Sequence, residues 1–194
     1  MARLEFLFDY VSPFSYLADS QLAALAERSG AEIVYRPVVL GGVMQASGNS
    51  PPFRVPNKGA YTAKDATRWA EHYGVEMAQN PHFPVKTIQA LRAAMVLLEE
   101  GGFPEFQAAA FRATWCEGAN LGDPEVLAAV LEKSGVVAAH VLERCGDPAV
   151  KDALRRNTEE AVERGAFGVP TFFVGDEMFF GNDRLHFVEA ALRG

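Results

Sequence analysis

The sequence predicts an α/β fold in which one small mixed sheet, flanked by helices, carries a large all-helical insertion. Three observations support this. Residues 3–38 follow a strand–helix–strand order, a helical pattern fills about a hundred residues after it, and a hairpin followed by a helix ends the chain. Because 194 residues close one core of ordinary size, both ends should share one sheet. Residues 1–56 and 165–194 would form a discontinuous domain, and residues 57–164 a helical insertion domain.

The first strand, helix and strand are predicted from their apolar runs and from the residues that begin and end the helix. Residues 3–9 are rich in Leu and Phe, which is typical of a short buried strand. Ser12 and Pro13 suit a helix N-cap and first helical residue, and Gly30 suits the end of that helix. Residues 31–38 then form a second strand, so a crossover and a parallel pairing are expected.

The middle of the chain is predicted to be a loop followed by helices. Glycines and prolines make Gly41 to Lys58 loop-like. Asp123 and Asp147 each precede a proline and suit helix N-caps, and Val126, Leu127, Val130 and Leu131 would follow the first cap as a core face. One apolar stripe at helical spacing comprises Ile88, Leu91, Met95 and Leu98.

The last thirty residues return to strands. Residues 171–174 and 178–180 are apolar and β-prone, and Gly175-Asp176 between them suits a turn, which predicts a hairpin. A final helix is expected over residues 183–192.

Composition excludes several classes of function. The net charge of −7 disfavours a general binder of nucleic acid or anionic membranes, and 49% hydrophobic residues exclude a disordered chain. The two cysteines, Cys116 and Cys145, are far apart, so neither a disulfide framework nor a thiolate metal site is expected. No run has secretory or membrane-spanning character, and we expect a soluble cytoplasmic protein without a metal.

Two short segments could carry chemistry. Ser12 stands at the start of the first helix, where the helix dipole and unpaired amides favour an anion; taken alone, such a serine is more often a plain cap. Gly168-Val169-Pro170-Thr171 precedes the third strand. Pro170 could simply begin an edge strand, or Val169-Pro170 could be a cis peptide that exposes the Val169 backbone to a ligand.

Together these segments resemble the DsbA-like branch of the thioredoxin superfamily, in which a dithiol at the first helix faces a cis-proline loop. Ser12 and Ser15 occupy the positions of both cysteines, which removes dithiol–disulfide exchange. Residues 8–17 (FDYVSPFSYL) are similar to the opening motif of 2-hydroxychromene-2-carboxylate isomerases and kappa-class glutathione transferases. The resemblance spans nearly the whole chain: residues 40–59 are nearer the transferases, and residues 167–185 nearer the isomerases.

The resemblance implies a glutathione-dependent isomerase that converts 2-hydroxychromene-2-carboxylate to trans-o-hydroxybenzylidenepyruvate, or acts on a similar aromatic catabolite. Reversible addition of the glutathione thiolate would allow rotation about the resulting single bond, so that glutathione is recycled. A kappa-like transferase that conjugates electrophiles is the alternative, and a non-enzymatic module binding glutathione or a peptide is another. The family likeness also implies a homodimer.

Site residues are carried over from the same likeness. The implied glutathione site comprises Ser12, Pro13, Phe14, Asn49, Lys58, Val169, Pro170, Gly181, Asn182 and Asp183. Candidates for the aromatic acid pocket are Met44, Phe53, Arg54, Phe83 and Trp115. The isomerase pattern has a substrate-binding lysine between positions 40 and 49 that is missing here, with Met44 nearest; Arg54 could replace it, or the substrate differs.

Ser12 is the implied catalytic residue, acting through a borrowed thiol. A serine nucleophile would need a neighbouring base, and none of the four histidines can be assigned that role. A hydroxyl that donates to a bound thiolate, together with the helix dipole, could instead lower a thiol pKa from about 8.5 to about 6.5. That change is worth roughly 2.7 kcal/mol.

Overall fold

The two ends of the chain meet in one four-stranded sheet. A computed structural model describes residues 2–194, and the strand order is β2-β1-β3-β4. The strands are β1 (Arg3–Phe8), β2 (Glu32–Pro37), β3 (Thr171–Val174) and β4 (Glu177–Phe180). β1 runs parallel to β2, whereas β3 is antiparallel to both β1 and β4. The predicted mixed sheet, the crossover and the hairpin are confirmed.

The central strand β1 has buried side chains on both faces of the sheet, with Leu7 on the face opposite to Leu4, Phe6 and Phe8. Leu4, Phe6 and Phe8 are fully buried, and Phe6 stacks on Phe172 of β3 with ring centroids 5.3 Å apart. Such pairs of aromatic side chains across adjacent strands stabilise a sheet beyond the area that they bury. This packing fixes β1, so the loop that follows its carboxyl end begins at a well-ordered strand.

Within residues 2–194 the remaining regular structure consists of nine α-helices and two short 3₁₀ helices. The α-helices are α1 (Pro13–Ser29), α2 (Leu40–Ala46), α3 (Pro56–Tyr73), α4 (Ile88–Glu100), α5 (Phe103–Trp115), α6 (Pro124–Lys133), α7 (Ala138–Arg144), α8 (Pro148–Glu163) and α9 (Leu185–Arg193). The 3₁₀ helices are Pro52–Arg54 and Asn182–Arg184.

Helix termini follow the predicted chemistry with one difference. Gly30 ends α1 with φ of 66°, and its N–H donates to the carbonyl of Ala26. Asp123 caps α6 by accepting from the N–H of Glu125 at 2.9 Å. Asp147 precedes α8 but makes no capping bond; its carboxylate is paired with Arg144 instead.

The loop predicted from Gly41 to Lys58 is wrong over part of its length, because it contains most of α2 and the start of α3. Tertiary contacts outweigh the poor helix propensity of the two glycines in α2. A Cβ on Gly42 would lie 3.2 Å from Thr158 of α8, and Thr158 Oγ1 accepts from the N–H of Val39 at 3.0 Å. Glycine thus allows α2 to lie directly against α8.

The stripe predicted for α4 is also partly wrong. Ile88 and Leu98 are 46% and 40% exposed, while Leu91 is fully buried. Half of the buried residues of α4 are alanines, namely Ala90, Ala93 and Ala94. α4 packs against α5, α7 and α8, and alanines permit these close approaches from several directions. For α6 the predicted core face holds at Leu127, Val130 and Leu131.

The helical segment shares its core with the sheet. Phe8 of β1 and Tyr10 both lie against Phe111 of α5, with centroids 6.0 and 5.0 Å apart. One cluster of buried side chains runs from β1 through α4 to α7. The division into two domains at residues 57 and 164 stays a prediction.

Two further findings bear on the class of protein. Of the helices in residues 2–194, none combines the length and the apolar character needed to cross a bilayer. The same residues contain no group of three or more His, Cys, Asp or Glu side chains placed to hold a metal ion.

Candidate functional site

A cavity of about 1000 Å³ lies where α1 begins, beside the loop that precedes β3 and beneath α2, α3 and the start of α4. It brings together twelve of the residues predicted for the site. They are Ser12, Pro13, Phe14, Met44, Phe53, Phe83, Trp115, Val169, Pro170, Gly181, Asn182 and Asp183. A smaller pocket of about 270 Å³ shares Asn182 and Asp183 with it.

Ser12 is fixed by two hydrogen bonds at the N-terminus of α1. It is 4% exposed, and its Oγ accepts from the N–H of Ser15 at 3.1 Å. The same hydroxyl donates to the carbonyl of Val169 at 3.3 Å. Pro13 at the first helical position lacks an N–H to satisfy. The hydroxyl therefore sits at the positive end of the helix dipole, on the cavity wall.

The loop before β3 presents the Val169 backbone to the cavity. The Val169-Pro170 peptide is cis, so the cis alternative of the two sequence interpretations is confirmed. Thr171 Oγ1 donates to the carbonyl of Gly168 at 2.8 Å, and the N–H of Gly181 donates to the carbonyl of Pro170 at 3.0 Å. A second cis peptide, Phe83-Pro84, lies in the cavity wall and was not predicted.

Asp9 is a site residue that sequence reasoning missed. Its side chain is almost fully buried. It accepts from Thr87 Oγ1 at 2.6 Å, from the N–H of Leu40 at 2.9 Å and from the N–H of Val11 at 3.1 Å. Burial raises the pKa of Asp9, and these three donors oppose the increase. An acidic residue directly after a buried strand was the available signal.

Asn182 and Asp183 are positioned from α3. The hydroxyl of Tyr73 donates to the carbonyl of Asn182 at 2.9 Å, and burial raises the pKa of Tyr73. The Asp183 carboxylate is paired with Arg184 and caps no helix. Both residues line the cavity, with Asn182 held by Tyr73 and the Asp183 carboxylate held by Arg184.

Three aromatic side chains form one continuous wall. Phe53 and Phe83 meet edge to face with centroids 5.8 Å apart, and Phe83 lies 6.1 Å from Trp115. The indole Nε1 of Trp115 donates to the carbonyl of Tyr10 at 2.9 Å, which fixes that ring. A flat aromatic ligand would find an apolar surface here.

Asn49, Lys58 and Arg54 are not on the cavity wall. Asn49 Nδ2 donates to the carbonyl of Phe167 at 2.8 Å, which joins the end of α2 to the loop before β3. Lys58 and Arg54 are exposed. The wall has instead a cation that sequence reasoning missed: Lys86, in the loop before α4, which no motif distinguished from an ordinary surface lysine.

The arrangement limits the chemistry of the chain's own side chains. Neither Cys116 nor Cys145 lines the cavity, and both are free thiols. Within residues 2–194 no histidine lines it, and the hydrogen-bond partners of Ser12 Oγ are the Ser15 N–H and the Val169 carbonyl. Ser12 consequently lacks the base that a nucleophilic serine requires. It is equipped to donate a hydrogen bond.

Comparison with known proteins gives a consistent result. The family model described as a DSBA-like thioredoxin domain matches residues 3–193. A 2-hydroxychromene-2-carboxylate isomerase of Sphingobium xenophagum is 35% identical over 97% of both chains. The human glutathione S-transferase kappa 1 is 29% identical, over 94% of this chain and 87% of its own.

A solved structure of a 2-hydroxychromene-2-carboxylate isomerase superimposes with a TM-score of 0.86. It is 31% identical and the match covers 98% of this chain and 94% of that one. The expected thioredoxin-like fold with a helical insertion, and the expected relation to isomerases, are confirmed.

Proposed function

The chain belongs to the family of DSBA-like thioredoxin domains, in the group of the 2-hydroxychromene-2-carboxylate isomerases and kappa-class glutathione transferases, and from this premise we propose that it is a glutathione-dependent isomerase. Its substrate is 2-hydroxychromene-2-carboxylate or a similar aromatic acid. The observation that carries the proposal is Ser12: a hydroxyl at a helix N-terminus, on the wall of a large cavity that no cysteine lines.

The cavity suits glutathione in its polar groups and in its size. Val169 has a backbone carbonyl beside the cis Pro170, and the Asp183 carboxylate, which Arg184 holds in the free protein, would accept from the ligand ammonium group. A volume of about 1000 Å³ is at the upper end for small-molecule sites, which accommodates a tripeptide together with a substrate. When bound, glutathione would supply a thiolate that adds reversibly to the conjugated carbon of the ring-opened acid and so permits rotation.

Ser12 would hold that sulfur as an anion. In the free protein its hydroxyl donates to the Val169 carbonyl over a long 3.3 Å, which is a weak bond. A ligand amide that donates to the same carbonyl releases the hydroxyl, and the hydroxyl can then turn toward the sulfur. On ligand binding, the Ser12 hydroxyl would thus stop donating to the Val169 carbonyl and donate to the thiolate instead. A hydrogen bond to a charged acceptor is the stronger of the two.

The aromatic wall would hold the substrate ring. Phe53, Phe83 and Trp115 provide edges and faces for a bicyclic acid. Packing there excludes water from one side of the reacting carbon, which protects a reactive intermediate from side reactions. We further propose a homodimer, which the family likeness implies and which light scattering on the purified protein tests. We also propose that the protein acts in the cytoplasm.

A kappa-like transferase is the second candidate. It is favoured by the residue 40–58 segment, whose Asn49 side chain is joined to the Phe167 carbonyl next to the Val169 loop. In a transferase the same thiolate stays attached to its electrophile. Ser12 performs the same task in either reaction, so the fate of the product separates the two.

The test follows the product and the thiol separately. Wild-type protein with glutathione should convert the chromene acid to its ring-opened isomer without consuming glutathione. Conjugation of chlorodinitrobenzene without any isomerisation would favour the transferase. No glutathione binding in calorimetry would leave only the non-enzymatic module.

Ser12→Ala should raise the pKa of bound glutathione by about one unit or more, because a hydrogen bond to a charged group is worth about 1.5–3 kcal/mol. Ultraviolet absorbance of the thiolate, followed against pH, measures this. The control is Ser20→Ala, since Ser20 is exposed, does not line the cavity, and bonds only within α1, to the Leu17 carbonyl and to Gln21 Nε2. An unchanged titration in the Ser12 variant contradicts the borrowed-thiol mechanism.

A further inference from the structure

We propose that Lys86 binds the carboxylate of the acid substrate and sets the preference of the cavity for acids. The inference rests on the proposed function: an enzyme that acts on an aromatic acid needs a group that binds the carboxylate, and we assign that group to Lys86. The sequence has no lysine between positions 40 and 49, and Arg54, the replacement expected from the sequence, is not on the cavity wall.

Lys86 reaches the cavity from an anchored segment. Val85 and Thr87 on either side of it are buried, while Lys86 itself is exposed and lines the cavity. The Thr87 hydroxyl donates to Asp9 at 2.6 Å. Asp9 in turn accepts from the N–H of Ser12 through its backbone carbonyl at 3.0 Å. Two hydrogen bonds therefore connect the backbone beside Lys86 to the turn that presents Ser12.

Close packing restrains the stem of the lysine. A Cβ on Gly122 would lie 3.0 Å from the Cβ of Lys86 and 3.1 Å from its carbonyl oxygen. These distances are too short for any larger residue without displacement of Lys86. The chain between α5 and α6 thus closes directly over the Lys86 backbone, and only the outer part of the side chain is free to move.

Charge distinguishes Lys86 from every other group on the wall. Among the cavity-lining residues of the described chain it is the one cation, and the other charged side chains are Asp9, Asp65 and Asp183. Within residues 2–194, no carboxylate lies within ion-pair distance of Lys86. Asp65 and Asp183 are ion-paired with Arg68 and Arg184, and Asp9 accepts three hydrogen bonds, so the ammonium group of Lys86 is the charged group left to attract a substrate carboxylate. Arg54, considered earlier for the same role, is not on the wall.

The position of Lys86 also separates it from the expected glutathione site. The glutathione residues that line the cavity belong to the turn at Ser12, the loop at Val169 and the segment 181–183. Lys86 belongs to the wall formed by residues 83–89, and Phe83 of the aromatic surface lies three residues before it. A substrate ring against Phe83 would bring its carboxylate to the lysine rather than to the cofactor.

The test compares Lys86→Met and Lys86→Arg with a matched control, Lys64→Met. Lys64 is exposed on α3, is absent from the cavity wall and carries the same charge. Calorimetry at saturating glutathione measures the Kd of chromane-2-carboxylate, an unreactive analogue without the conjugated double bond, and of its methyl ester. Glutathione affinity and the KM for the chromene acid are measured on the same preparations, after circular dichroism has verified folding.

We expect Lys86→Met to weaken binding of the acid at least about tenfold, because it removes a charged hydrogen bond. The ester and glutathione should bind as they do to the wild type, and Lys86→Arg should retain most of the affinity for the acid. Equal weakening of acid and ester, an equal effect of Lys64→Met, or a loss of glutathione affinity in Lys86→Met each overturns the assignment.

The two failures are distinguishable. Wild-type protein that binds no glutathione and isomerises nothing refutes the proposed function. Active wild-type protein with an unaffected Lys86→Met variant refutes only the role of Lys86. Should Lys86→Met fail to fold, the same comparison with Lys86→Gln decides the question.

Discussion

Asp19 is the ionisable residue whose protonation has a clear consequence for stability. It is partly buried on α1, and its Oδ1 accepts from Gln107 Nε2 at 3.0 Å. Gln107 Oε1 accepts from the hydroxyl of the buried Tyr10 at 2.7 Å. Burial raises the pKa of Asp19 to about 6, although the bond from Gln107 opposes the increase. The folded protein therefore binds this proton more tightly than the unfolded chain does.

Asp19→Asn should stabilise the protein at neutral pH. In the wild type the raised pKa of Asp19 contributes stability below pH 4 that is lost as the pH rises toward about 6. The amide variant carries no charge to bury and can still accept from Gln107. We expect its free energy of unfolding to exceed that of the wild type by roughly 2 kcal/mol at pH 7 and to converge with it near pH 4.

Urea denaturation at several pH values between 4 and 7 measures the difference. The control is Asp152→Asn, since Asp152 is exposed on α8. A constant offset between Asp19→Asn and the wild type across this range would show that the variant changes packing and not proton binding.

At the scale of single residues, the sequence identified those residues whose role depends on their immediate neighbours in the chain. Ser12, Gly30 and Asp123 were predicted as helix termini because a cap depends on neighbours in sequence. Asp9 and Lys86 were missed because their surroundings come from residues about thirty to eighty positions away. One residue breaks a local rule: Ser15 Oγ is buried without a hydrogen-bond partner among the described residues, where a sulfur or a methyl group would need none.

Asp9 acts at the scale of elements, since it joins the ends of three of them. It follows β1, accepts from the first N–H of α2, and accepts from Thr87, the N-cap residue of α4. This explains why Thr87 makes no capping bond within its own helix. A negative group near two helix N-termini is also favoured by their dipoles.

Asp9→Asn should therefore destabilise the protein, in contrast to Asp19→Asn. An amide offers one acceptor oxygen where Asp9 supplies two, and its NH₂ group would face a buried donor. We expect a loss of about 1–3 kcal/mol in the free energy of unfolding, measured by urea denaturation at neutral pH. Unchanged stability would mean that the donors find other partners, and that the link between the elements is dispensable.

Elements were predictable where pattern and packing agree. β1, α1 and the C-terminal hairpin have both an apolar period and turn residues, and their extents were close. α2 was missed because its glycines serve a contact with α8 that is remote in sequence. The exposed ends of the α4 stripe, Ile88 and Leu98, were assigned to the core because the spacing of large apolar residues does not reveal that alanines supply half of the buried face.

At the scale of the whole molecule, the cavity is bounded by the sheet end of the fold and by the helical segment together. A ligand that contacts the Ser12 turn, the Val169 loop and α3 opposes their separation, and it binds the folded state alone. Saturating glutathione, at about a hundred times its Kd, should add about 2.7 kcal/mol to the free energy of unfolding.

That gain corresponds to a rise in Tm of roughly 5–10 °C for a chain of this size, measured by scanning calorimetry. Ser12→Ala should reduce the rise, while Lys86→Met should leave it unchanged. A glutathione analogue without its sulfur serves as the control, because it retains the backbone contacts and lacks the thiolate. An equal rise with both ligands would contradict a contribution from Ser12.

The fold as a whole was predictable because the strand patterns lie at the two ends of the chain, so that a sheet of ordinary size requires both ends to pair. The site was predictable in part, through motifs at Ser12 and Val169 that each occupy a few consecutive residues. Its charge pattern was not, since Lys86 becomes distinctive only when the folded chain places it among three acids.

The hydrogen bond from Ser12 to the Val169 carbonyl spans 157 positions, and this has a consequence for biosynthesis. A chain emerging from the ribosome presents Ser12 long before its partner, which follows α8 in the sequence. Until the Val169 loop has been synthesised, helices α1 to α8 can form without a finished binding site, so ligand cannot assist their folding. Premature termination before β3 would accordingly yield a fragment without the central neighbour of β1, with that strand open to pairing with other chains.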